Sequence, residues 1–237
     1  MLAADVRVHA NKSAFTTALE GISVRNDVLF TDEKGEENAG LKKRSTAALE
    51  KLAPGLRKIL RPGETVLYVL PARSPLSVFE QLTIGYWASI LAACAIVVTN
   101  SRILFFPVKM NRTWKESVRA VNWGDMQEAK GKGPFGAMVA FTFRNGQKAT
   151  YAQIRRQDAK KLAALAAVLI PAAAGEQTAA QGPVQLCPDC CGPLTAKQYL
   201  CPSCGLTFKN EKKMMLLSIF LPGGGCAFGD FPRGLLG

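Results

Sequence analysis

Five of the seven cysteines in this 237-residue chain fall between positions 187 and 204, in the segments C-P-D-C-C-G and C-P-S-C-G with ten residues between Cys190 and Cys201. Two C-x-x-C knuckles with proline after the first cysteine suit tetrahedral thiolate coordination, because each tight turn aims two sulfurs and its backbone N–H groups at one ion. The spacing predicts a structural Zn2+ site on Cys187, Cys190, Cys201 and Cys204. A closed four-thiolate shell has no position for water or substrate, so the site is expected to be structural rather than catalytic. Spacing alone does not separate zinc from iron, which shares the same ligand softness and geometry. Paired disulfides fit poorly with the reducing compartment that a metal-type pattern implies. Thioredoxin-like exchange would need one such pair beside a βαβ unit, and no βαβ pattern is present. Cys191 stands where a knuckle usually has glycine and reads as a bystander that could replace Cys190; Cys94 reads as a small buried apolar residue. So few apolar side chains accompany the knuckles (Leu194, Tyr199, Leu200, Leu206) that the metal must supply most of this module's folding energy.

Other chemistry is sparse, and the expectation is that the chain is not an enzyme. His9 is the only histidine and lies in an unpatterned region, which removes imidazole-based catalysis and imidazole metal ligands. Phosphate-loop, nucleophile-elbow and H-E-x-x-H motifs are absent. The basic glycine run at 130–134 lacks phosphate-loop spacing and reads as a flexible turn. No small-molecule substrate is evident. Net charge is +12 and the pI is near 9.5, so an anionic partner is expected, either an acidic membrane surface or nucleic acid.

The elements that must carry these residues follow from periodicity. Residues 1–44 show no sustained period and are left uncommitted. Helical spacing runs over 45–60, with Pro54 and Gly55 expected to kink or split it and the Arg61-Pro62-Gly63 stop after it. Strands are predicted at 65–70, 95–99, 102–108, 117–123, 137–144 and 147–153, with Asn145-Gly146 as a hairpin turn between the last two and a weaker turn at 99–102. A helix is predicted over 157–170, ended by Pro171. The small, polar stretch 172–185 reads as a linker. An uncharged apolar run at 82–98 is read as a buried helix over 79–93 running into a strand, rather than a membrane span.

Residues 61–64 (RPGE), 97–105 (VVTNSRILF), 123–125 (WGD) and 143–146 (FRNG) resemble a bacterial PH-like domain of the GRAM type. That resemblance implies an α+β fold, a bent antiparallel sheet capped by a C-terminal helix. The paired CPxC knuckles at 186–208 resemble the small cytoplasmic zinc ribbons. The tail, basic at Lys212-Lys213 and then apolar with a glycine run at 223–225, is similar to the opening of the membrane hairpins that follow ribbons in some bacterial proteins, with Cys226, Asp230 and Arg233 departing from that pattern. The expected organisation is an N-terminal region at 1–44, a PH-like domain at 45–171, a linker at 172–185, a zinc ribbon at 186–208 and a basic-apolar tail with an apolar helix at 209–237.

Between 61 and 170, fifteen Lys/Arg against six Asp/Glu leave a balance of +9. Loops carrying Lys109, Arg112, Lys115, Lys130 and Lys132 are the candidate anionic-ligand site, each basic side chain contributing about 1 kcal/mol beside acidic headgroups. Lys209, Lys212 and Lys213 before the tail suit a cytoplasmic anchor. These features predict a non-catalytic zinc-binding adaptor on the cytoplasmic face of the plasma membrane, meeting an acidic phospholipid surface or a protein partner. Nucleic-acid binding is the weaker alternative, since in the ribbon Asp189 offsets Lys197 and aromatics do not alternate with basics. A protein-interaction module using Trp87 or Trp114 is the remaining reading.

Overall fold

The computed structural model describes residues 16–32, 34–74, 92–132, 138–176, 178–179, 182–195 and 200–208. The chain divides into two compact units, Met1–Pro193 and Leu194–Gly237. In the first unit, β3 (Val66–Arg73), β4 (Ala93–Thr99), β5 (Arg102–Pro107) and β6 (Val118–Asn122) form one antiparallel meander. A second meander holds β7 (Met126–Lys132), β8 (Met138–Phe143) and β9 (Lys148–Ala152). The two join where Arg73 of β3 pairs with Ala152 of β9, and helix α3 (Arg156–Ala172) packs on β7 and β8. The architecture is the expected α+β class, an antiparallel sheet with few helices.

Strands β3 to β5 read as unbroken apolar runs because both of their faces are covered. On β4, Cys94, Ile96 and Val98 join Tyr68, Phe105, Phe141 and Leu165 in one core, while Ala95 and Val97 join Leu104, Phe106 and Leu52 in another. Three aromatic rings anchor the first core: Phe105 stacks on Tyr151 with centroids 4.7 Å apart, and Phe141 meets both edge-on.

The second core is built by the N-terminal region that sequence periodicity left open. Strands β1 (Thr16–Leu19) and β2 (Ile22–Arg25) form a hairpin, the one-turn α1 (Asn26–Leu29) follows, and β2 adds to β3 in parallel at Val24↔Val66. Helix α2 (Ala39–Ile59) starts at an Asn38 cap whose side chain accepts from Leu41 N at 3.0 Å. The expected split at Pro54 does not occur. Pro54 and Glu50 lie on the exposed face, where water can satisfy the carbonyl that proline leaves without a donor, while Leu49, Leu52, Leu56 and Ile59 hold the buried face on the sheet. Gly55 permits this close packing, since a Cβ there would lie 2.9 Å from the Trp114 ring.

The short motifs quoted above have structural roles. Glu64 accepts from Arg102 Nε (2.9 Å) and Nη2 (2.8 Å), Thr99 Oγ1 (2.7 Å), Ser101 Oγ (3.1 Å) and Arg61 N (2.9 Å). The same Arg102 donates to Ile59 O at 2.6 Å, tying the end of α2 to the β4–β5 turn. Trp123 is fully buried and donates to Thr99 O at 2.9 Å. A Cβ on Gly124 would stand 2.3 Å from Glu176 O, so only glycine fits there. Asp125, also buried, accepts from the backbone N–H of Thr178 at 2.8 Å and from its hydroxyl.

Four further expectations are revised. The 130–134 segment is not a turn throughout: Lys130, Gly131 and Lys132 belong to β7, whose sequence MQEAKGK carries little strand signal of its own and is held by pairing with β8. The Asn145-Gly146 hairpin forms, but only Gly146 takes positive φ (+81°), in a loop closed by Phe143 N donating to Gln147 O at 3.0 Å. This is the three-residue turn with a left-handed glycine rather than the two-residue form. Pro171 lies inside α3, which runs to Ala172. Within the stretch read as a linker, Thr178 is bound to Asp125, and β10 (Val184–Leu186) pairs antiparallel with β6. The expected helix at 79–93 falls largely outside the described residues, as do Trp87 and the 209–237 tail. Among the described residues no helix is long and apolar enough to cross a membrane.

Candidate metal centre and basic surface

Strand β10 leads directly into the first knuckle. Cys187 N donates to Gly192 O at 2.8 Å and Cys191 N to Cys187 O at 3.0 Å, which closes the turn around Cys187 and Cys190. The second knuckle repeats the pattern residue for residue: Cys201 N donates to Leu206 O at 2.8 Å and Gly205 N to Cys201 O at 3.0 Å. In each, the fifth residue takes a left-handed backbone, Cys191 at φ +59° and Gly205 at φ +73°. Cys191 therefore occupies a glycine position and carries the cost of a Cβ there, about 1–2 kcal/mol.

The sulfurs of Cys187, Cys190, Cys201 and Cys204 all lie within 4.8 Å of one another. A tetrahedron with metal–sulfur bonds of about 2.3 Å has edges of about 3.8 Å. The four thiols could therefore hold one metal ion with small adjustments, and the donor set fits a thiophilic one. Cys187 and Cys201 are buried, and Cys190 and Cys204 are exposed. Cys191 is not a fifth candidate: its Sγ contacts Lys58 O at 3.1 Å, and its side chain packs on the α2 core. Cys94 is buried in the sheet, and burial pushes its thiol up to about 12, far from thiolate reactivity at neutral pH.

The five basic residues predicted for an anionic ligand do not form one compact cluster. Lys109 and Arg112 stand exposed in the β5–β6 loop on either side of Met110, which is 75 % exposed. Lys115 is part-buried farther along the same loop; burial and then the neighbouring Lys109 charge pull its pKa below the ordinary lysine value. Lys130 is held by Glu128 at 2.5 Å on β7, and Lys132 ends that strand. Strand register still places both groups at the same end of the sheet. One row runs Lys132↔Met138↔Ala152↔Arg73↔Ala93, and Val108 N donates to Ala93 O. Five strand spacings of ~4.8 Å put Lys132 about 24 Å from Val108 along a flat sheet.

That end carries basic side chains which sequence reading did not select. Arg44 on α2, Arg73 ending β3 and Arg155 before α3 line a cavity with Lys109 and Arg112. The available signal was local: Arg44 sits one residue before Ser45 in the Leu41, Ser45, Ala48, Leu52 stripe of α2. Its pairing with the β5–β6 loop is a long-range event that periodicity does not report.

No protein-family model matches the chain, and no curated protein matches it. Among solved structures, similarity is found to the C-terminal domain of an unknown protein from Leishmania infantum, at 10 % identity and TM-score 0.33 over 55 % of this chain and 98 % of that one. The linker-DH/PH domains of p115-RhoGEF are likewise similar at 8 % identity and TM-score 0.33, over 62 % of this chain and 50 % of that one. At these scores neither likeness bears on what the chain does.

Proposed function

We propose that this protein is a non-catalytic, zinc-binding adaptor of PH-like architecture that attaches to the cytoplasmic face of an acidic membrane through the basic end of its sheet. The observation that carries the reading is that Lys109, Arg112, Arg73 and Lys132, with the exposed Met110, all lie along the same end of the sheet. A loop that presents one large apolar side chain between two cations suits the interface of a bilayer, where the methionine enters the acyl boundary and the cations meet headgroups. The chain also leaves the described sheet at Ser74 and returns at Ala92 on this end, where Ser74 N donates to Ala92 O at 2.7 Å; the sequence between them is uncharged from 81 onward. The antiparallel strands β3 to β9 followed by α3 support the PH-like reading.

The donor set supports zinc as the ion of this proposal. Four cysteine thiolates on two tight turns would hold Zn2+ in a closed shell and supply fold stability rather than reactivity.

The test is flotation of the full chain with anionic and neutral liposomes at low and high salt, for wild type and the Lys109→Ala/Arg112→Ala pair. Two cations worth about 1 kcal/mol each predict roughly a 30-fold loss of anionic-liposome affinity. Binding that ignores salt, lipid charge and this pair would refute attachment through the basic end. Retention on nucleic acid in its place would favour the alternative class.

A further inference from the structure

The cavity at the basic end has a chemistry of its own. It encloses about 390 Å³ between α2, the ends of β3 and β4 and the β5–β6 loop, within the size range of small-ligand clefts. Its floor is apolar, formed by Leu41, Ala48 and Leu52 of α2 against Val69 and Ala95 of the sheet. The rim is cationic, with Arg44, Arg73, Lys109, Arg112 and Arg155; the described lining includes one carboxylate, Asp158, already bound by the Tyr68 hydroxyl at 2.7 Å. Ser45 is also among the lining residues; it is 2 % exposed, and its Oγ is buried without a hydrogen-bond partner among the described residues. A buried hydroxyl without a partner is a standing cost that a ligand atom would relieve.

We infer that this cavity binds a monoacylated anionic amphiphile, its phosphate held by the arginine rim, its ester oxygen by Ser45 and its chain along the floor of α2. The inference builds on the basic-end reading, since Lys109 and Arg112 serve both. It adds a cavity that takes single molecules of lipid rather than a surface that senses bulk charge. Charge complementarity selects the head, and the apolar floor selects against a free anion, which would leave that floor wet. An apolar protein segment is disfavoured because it offers nothing to the surrounding cations.

The experiment is calorimetric titration of the full chain, below micelle-forming concentration, with three probes: monolauroyl glycerophosphate, glycerophosphate and monolauroylglycerol. The amphiphile is expected to bind one to one, roughly a hundredfold tighter than glycerophosphate, because buried methylene groups add to the head contacts. Monolauroylglycerol is expected to bind at least roughly tenfold more weakly than the amphiphile. Ala48→Phe, which fills the floor, and the half-exposed pair Arg44→Gln/Arg73→Gln, which thins the rim, should each cost roughly tenfold, with circular dichroism confirming the fold. Ala48→Phe should leave flotation with anionic liposomes unchanged. Equal binding of amphiphile and glycerophosphate, or amphiphile binding indifferent to both variants, would overturn the cavity site. Retained amphiphile binding by a chain that does not float would preserve the site and remove the membrane-attachment reading.

Discussion

Substituting Glu64 by alanine removes the partner of a guanidinium that has almost no access to water. The Arg102 and Glu64 side chains are 3 % and 1 % exposed and meet at 2.8 Å. Four other groups share the arrangement: Thr99, Ser101 and the Arg61 N–H donate to Glu64, and Ile59 O accepts from Arg102. Glu64→Ala leaves Arg102 buried with Ile59 O as its remaining acceptor among the described residues, a loss of about 3–5 kcal/mol. In a chain of this size that corresponds to a fall of roughly 10 °C in Tm. Urea unfolding followed by tryptophan fluorescence measures it as a lower midpoint at unchanged slope. The double variant Glu64→Leu/Arg102→Met removes both charges and should cost less than Glu64→Ala alone, a coupling of roughly 2 kcal/mol or more. Acid should reproduce the effect. Burial would raise the Glu64 carboxyl, but the hydrogen bonds from Arg102, the Arg61 N–H and Thr99, with the Arg102 charge, outweigh it and hold the group below 4.5. Its contribution is thus present above 4.5 and lost as pH falls through the lower folded-state value. A Glu64→Ala cost below about 1 kcal/mol, or strictly additive single and double variants, would refute the ion pair as the lock between α2 and the β4–β5 turn.

Metal content should separate the cysteines: Cys187→Ser and Cys201→Ser are expected to abolish bound zinc by atomic emission, while Cys94→Ser and Cys191→Gly retain one ion per chain. Lys161 is 1 % exposed and donates to Val28 O and Thr31 O. Burial pulls its pKa down to about 8 against the opposing pull of Asp32, Asp158 and Asp27. The unfolded chain therefore holds the extra proton between about 8 and 10.5, so stability should rise with pH across that window by about 3 kcal/mol. Lys161→Met should flatten this rise in urea midpoints measured up to pH 10, beyond which unfolded-state tyrosine ionisation enters. Gly55→Ala should cost about 1–3 kcal/mol and shift tryptophan emission, because its Cβ would press on Trp114 at 2.9 Å. An unchanged spectrum and midpoint would show that the β5–β6 loop yields freely.

The four-cysteine cluster was legible because each knuckle is local. Five consecutive residues close each turn, so cysteine spacing and the following glycine-type position carry the whole geometry, including the strained φ of Cys191. The strands at β3 to β6 and the hairpin around Gly146 were legible for the same reason, being short runs bounded by turn residues. Strand β7 was not, because MQEAKGK has no strand period and is defined by its partner β8. The motifs at 61–64, 97–105 and 123–125 were visible as residues but not as contacts: Glu64 and Arg102 are 38 positions apart, and Asp125 meets Thr178 across 53.

By itself, then, the amino-acid order determined what depends on neighbours within a turn or a strand: the two cysteine knuckles, the alternation of elements and the excess of positive charge. Tertiary structure alone decided that α2 covers the second face of the sheet, that Pro54 is tolerated because it faces water, and that Arg44, Arg73 and Arg112 share one rim. The reason is the range of the forces involved. Turn geometry and thiolate spacing are set by covalent connectivity over a few residues, whereas burial of a face and desolvation of a charge depend on which distant segment arrives to exclude water.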